Sequence, residues 1–203
     1  MSQRPRGRPR SFDPETALKA ASERFRTHGF AGTSLDDLAE ATGLARPSLY
    51  AAFGDKRALY IAALERLHYR LEGVFDGLDA ARLPRAALLE TIFARTIDGY
   101  LTGEVAPSGC LAVATATTEA AGDPEVRERL ARFITMQDER LARLFAATGI
   151  ANPATNARIV VSVIHSLGIR ARAGVPRAEL DRIAADCIEM ITALSPPPET
   201  GSA

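Results

Sequence analysis

Proline and glycine punctuate this chain in one recurring pattern, and that pattern leaves room for helices only. Asp13-Pro14-Glu15 sets a side-chain acceptor, a residue lacking an N–H and an acid in the order a helix N-terminus favours, and Asp123-Pro124-Glu125 repeats it. Pro84, Asn152-Pro153 and Pro176 open further segments, while Gly29, Gly43 and Gly54 stop the first three. Apolar residues between these marks fall at helical spacing. Leu18, Ala21, Ser22 and Phe25 share a face of the first segment; Leu35, Leu38 and Ala39 follow a capping box made by Ser34 and Asp37; Leu49 and Phe53 face inward in the third. Pro47 sits in the first turn of that third helix, where a missing N–H is harmless. No stretch alternates with the period of a strand. The predicted fold is all-α, with about nine helices: a basic disordered arm over 1–10, a three-helix helix–turn–helix unit over 11–56, a helical regulatory and dimerisation domain over 57–195, and a disordered Pro-rich tail over 196–203.

Two short helices joined at Gly43 behind an arginine-rich arm point to DNA. Such a unit presents its second helix to the major groove, and a flexible arm can reach phosphates or an adjacent minor groove. The formal net charge of zero argues against a uniformly basic coat. Charge is nonetheless polarised: Arg4, Arg6, Arg8 and Arg10 stand in the first ten residues without an acid, so the rest of the chain is acidic by four.

Asp55 caps a long fourth helix whose apolar positions run from Leu59 and Tyr60 to Leu78, a natural connecting rod. The last two helices differ from each other. The segment from Ala157 to Ile169 is apolar or small in nearly every direction, whereas Leu180, Ile183, Ala184, Cys187, Ile188 and Ile191 form one clean face. The pair either closes the monomer core or forms half of a two-fold four-helix interface; the second is expected, through Val161, Ile164, Leu167, Ile183, Cys187 and Ile191, because a reader of palindromic DNA needs a partner.

Other chemistry is thinly represented. Two cysteines are too few for a disulfide scaffold and lack zinc-site spacing, so no metal or cofactor is expected. Cys110, placed at a helix N-terminus, could be a low-pKa sensor of oxidants or electrophiles, against the blander reading of a small buried residue. His28, His68 and His165 are scattered, and no acid, base and nucleophile converge, so no catalytic residues and no enzyme are expected. The longest charge-free stretch, 105–118, is far short of the roughly 20 apolar residues that span a bilayer, and no signal-peptide core follows the arm. A cytoplasmic protein is expected.

Residues 10–64 resemble the DNA-binding domain of TetR-type transcriptional regulators. The likeness is carried by Arg24-Phe25, His28-Gly29-Phe30, Thr33 to Ala39, Gly43 to Tyr50 and Phe53-Gly54-Asp55-Lys56, in order and at the family's spacing. It implies an all-helical homodimer that represses a promoter by holding a double-stranded palindromic operator until a small-molecule effector binds; activation stays open, since operator placement sets the sign. It also puts Thr33, Arg46, Pro47, Ser48, Tyr50, Ala51 and Lys56 at positions that approach DNA. Arg46 has the fork for guanine or phosphate, and Ala51 offers a methyl to thymine. Many relatives carry Tyr and His where this chain has Ala51 and Ala52, which leaves fewer polar groups for base readout. The arm, with Arg6, Arg8 and Arg10, looks like an AT-hook core for an A·T-rich minor groove, or equally a basic tail that touches phosphates without preference.

Overall fold

The computed structural model describes residues 12–103 and 107–193. The arm with Arg6, Arg8 and Arg10, and the tail over 196–203, lie outside the described residues. Nine α-helices and no strand are found among the described residues: α1 (Pro14–His28), α2 (Leu35–Thr42), α3 (Arg46–Phe53), α4 (Lys56–Ala81), α5 (Arg85–Leu101), α6 (Thr117–Glu119), α7 (Pro124–Ala147), α8 (Pro153–Arg172) and α9 (Arg177–Ala193). A π-helical turn, Ala112–Ala116, runs into α6.

The punctuation acts as its chemistry dictates. Asp13 accepts from the backbone N–H groups of Glu15 and Thr16, Asp123 from those of Glu125 and Val126, and Asp55 from that of Ala58. Ser34 and Asp37 close a reciprocal capping box, at 2.7 and 3.1 Å. Asn152 departs from the pattern: it takes a left-handed conformation and makes no side-chain cap, leaving Pro153 to open α8.

Two apolar cores hold these helices. The first packs Phe25, Leu38, Leu49, Leu59, Tyr60 and Leu64, building a reading head from α1–α3 and the first turns of α4. Leu111, Ala116, Ala120 and Val126 complete that core from the body side, so head and body share one apolar contact. The second core fills the body between α4, α5, α7, α8 and α9, with α7 and α8 in the most extensive helix–helix contact.

This second core corrects the expected dimer interface. Val161, Ile164, Leu167, Cys187 and Ile191 are all buried within one chain, and Ile183 packs half-buried against them. The apolar stripe of each helix serves the monomer core.

Candidate nucleic-acid interface

The α2–α3 corner is set by backbone chemistry. Gly43 adopts φ 67°, ψ 16°, the left-handed region, and its N–H closes α2 on the carbonyls of Ala39 and Glu40. Leu38 and Leu49 face each other's helices from within the head core, both almost fully buried. With Leu49 turned inward, the opposite face of α3 turns outward: Arg46, Pro47, Ser48, Tyr50 and Ala51 are all exposed, Tyr50 at 48%. No side chain caps the N-terminus of α3, and residues 43–54 contain no acid, so the positive end of the helix dipole and one guanidinium share this face.

Arg46 is held before any ligand arrives. Its Nε donates to Asp36 Oδ1 at 2.7 Å and a second nitrogen pairs with Oδ2, a fork that keeps the guanidinium pKa raised. Asp36 lies in the first turn of α2, so the pair braces the two short helices and a phosphate or guanine must compete for it. Lys56, at the start of α4, holds its Nζ 4.4 Å above the Phe30 ring.

Thr33 does not join this face. It is 1% exposed, and its hydroxyl donates to the Gly29 carbonyl at 2.6 Å, so its side chain fastens the α1–α2 connection instead of meeting DNA. Cys110 likewise departs from the expected sensor. Backbone N–H groups of Ala112 and Val113 do pull its pKa down, as a helix start should, but burial dominates and pushes the thiol up.

The two units communicate through a polar contact invisible in the sequence. Thr115 Oγ1, in the π-helical turn, donates to Leu111 O at 2.7 Å, so Tyr60 Oη must donate its proton to Thr115 Oγ1, also 2.7 Å away. Arg57 adds an exposed tie, with Nε and Nη2 2.6 and 2.8 Å from the Asp123 carboxylate and Nη2 2.9 Å from Glu125. Arg57 holds the Asp123 carboxyl down at about 2. Two of the body's surface depressions have similar volumes. One, about 420 Å³, runs along the outer face of α8 past Arg158, Ile159, Ser162, Val163 and Ser166. The other, about 410 Å³, lies between α4 and α7 beside His68, Arg132, Met136 and Arg140. The outer face of α8 carries Ile159 and Ile169 on the side away from the core, a signal present in the sequence beside the buried stripe.

His165 pairs with the buried Gln137 at 3.0 Å, and burial lowers its pKa. Among the described residues no group of three or more His, Cys, Asp and Glu side chains could hold a metal ion, and no helix is long and apolar enough to cross a membrane.

Residues 17–63 match the family model for bacterial regulatory proteins of the tetR family. The HTH-type transcriptional repressor ComR of Escherichia coli K12 is 31% identical over 193 residues, covering 91% of each chain. An HTH-type regulator of Bacillus subtilis, YezE, is 33% identical over 140 residues, covering 68% of this chain and 69% of its own. In three dimensions the chain resembles a cysteine mutant of the TetR family regulator CifR, solved with a 26-base-pair double-stranded operator: TM-score 0.73, 32% identity, 90% of this chain and 98% of that one. A TetR regulator from Legionella pneumophila shares the fold at TM-score 0.78 and 18% identity.

Proposed function

Since the chain belongs to the TetR family of bacterial transcriptional regulators, which are not enzymes, we propose that it is a homodimeric repressor of a palindromic operator, acting in the cytoplasm and released by a small-molecule effector. The exposed outer face of α3 carries this proposal, with Arg46, Pro47, Ser48, Tyr50 and Ala51 as the DNA-contacting set and Lys56 as a backbone anchor. The arm with Arg6, Arg8 and Arg10 adds salt-sensitive contacts to the same duplex. Resemblance to a repressor supports the direction of control, and resemblance to an operator-bound regulator supports duplex DNA as the partner.

Pairing falls to the outer face of α8, which carries the half-buried Ile159 beside a surface depression and Ile169 at 60% exposure. Two heads on a two-fold axis then meet half-sites about 34 to 36 Å apart, or a multiple of that. An effector seated against α4, for which the α4–α7 depression offers room, would act through Tyr60 and Arg57 on the head. It must bind the released shape more tightly than the DNA-bound one, since equal affinity shifts nothing.

Selection of duplexes from a random pool by the purified protein tests this directly. A palindrome should emerge, and Arg46→Ala should weaken its binding about tenfold or more in a mobility-shift titration. Failure to enrich any duplex at low ionic strength overturns the proposal.

A further inference from the structure

Arg26 and Arg172 join α1, the end of α5, residues 107–109 and α8 in one polar knot. Arg172, in the last turn of α8, donates Nη1 to the carbonyls of Arg26 at 2.7 Å and Ser108 at 3.3 Å, and Nη2 to the carbonyl of Thr27 at 3.1 Å. Those two α1 carbonyls belong to its final turn, which has no further N–H of its own helix to bond. Arg26 reaches the other way. Its Nη1 donates to Gly99 O at 3.2 Å and Gly109 O at 3.1 Å, while Glu23 holds its Nε and Nη2 at 3.0 and 2.6 Å. Thr27 and Ser108 hydroxyls meet at 3.3 Å within the knot. The backbone of the 107–109 segment lies so close to α8 that a Cβ on Gly109 would stand 2.5 Å from the Gly168 carbonyl.

The knot attaches the head to the body at a second place. On the α4 side, head and body are tied by Tyr60 to Thr115 and by Arg57 to Asp123 and Glu125. A rigid unit tied along one line can hinge about it; a second, separate attachment removes that freedom. The second attachment also ends on α8, the helix whose outer face carries the pairing proposed above, and it reaches α1 without passing through α4. Arg172 grips backbone carbonyls through both terminal nitrogens, and Arg26 turns Nε and Nη2 to Glu23 while Nη1 spans two carbonyls, a planar set of donors that a lysine ammonium cannot reproduce.

We infer that Arg26 and Arg172 are positioning residues that set the half-site spacing this protein accepts; the inference rests on the two-headed reading above. Neither side chain needs to touch DNA. One base pair changes half-site separation by about 3.4 Å, and a head locked at two places cannot follow such a change without breaking contacts.

The test uses the operator that the wild-type protein selects, resynthesised with its half-sites one base pair closer and one base pair farther apart. Wild type should bind the altered duplexes about tenfold more weakly than the selected one. Arg172→Lys and Arg26→Met should flatten that preference to about twofold, a change that a loss of stability alone does not produce. In the free dimer, spin labels on the two heads at Lys19→Cys should show a broader distance distribution in Arg172→Lys than in wild type. Variants that keep the wild-type spacing preference and distribution width, even with lower Tm, overturn the inference alone. A wild-type protein that enriches no duplex overturns the functional reading and this inference with it.

Discussion

Burial reverses what two residues promise in isolation. Thr33 offers a hydroxyl in a motif that approaches DNA, yet the Gly29 carbonyl takes that proton inside the head. Cys110 sits at a helix start that favours thiolate, yet desolvation outweighs the backbone N–H groups. Cys187 is similar: burial alone pushes its pKa up to about 11 from an ordinary 9.0. Both thiols should therefore ignore a disulfide reagent at pH 8 in the native protein and react at once in denaturant; fast labelling of native Cys110 would restore the sensor reading. The sign of the pH effect follows from the same shift. A folded pKa above the unfolded value contributes stability that is complete below pH 9 and fades as pH rises toward 11. Tm should fall over that window, and Cys187→Ala, though less stable throughout, should fall less steeply across it.

At the scale of the elements, two glycines that look alike in sequence carry different loads. Gly43 and Gly109 both have positive φ, 67° and 65°. A Cβ at Gly43 meets nothing within 4 Å, so Gly43→Ala carries only the backbone penalty, about 1 kcal/mol or roughly 2–4 °C in Tm for a chain of this length. At Gly109 the same methyl collides with the Gly168 carbonyl, which is backbone and cannot rotate away. Gly109→Ala should thus lower Tm by more than Gly43→Ala, and a thermal melt of both variants checks the order. The helices themselves were legible because Asp-Pro-Glu, Ser34 with Asp37 and the closing glycines act through neighbours a few residues away. The π-helical turn at Ala112–Ala116 was not, since its register answers to Tyr60, some fifty residues earlier in the chain.

For the whole molecule, the two faces of α8 divide the labour between folding and pairing. Ile164, 6% exposed in the body core, belongs to the first; Ile169, at 60% exposure, belongs to the second. Ile164→Ala should cost about 2–5 kcal/mol of stability through the cavity it leaves. Ile169→Glu should leave the monomer folded but place a charge in the proposed interface, shifting sedimentation toward a single chain at micromolar concentration and weakening operator binding. An Ile169→Glu protein that stays dimeric would move the interface elsewhere.

Helix starts and stops, the three-helix head and the outward face of α3 were readable from the residues alone, because caps, turns and a 3.6-residue period are local and need no knowledge of what packs where. Which face of α8 is interior, whether Cys110 meets solvent, and how Arg26 and Arg172 find carbonyls on three separate segments were decided only by the folded chain. Those properties belong to groups brought together across tens of residues, where burial and hydrogen-bond supply depend on every neighbour at once.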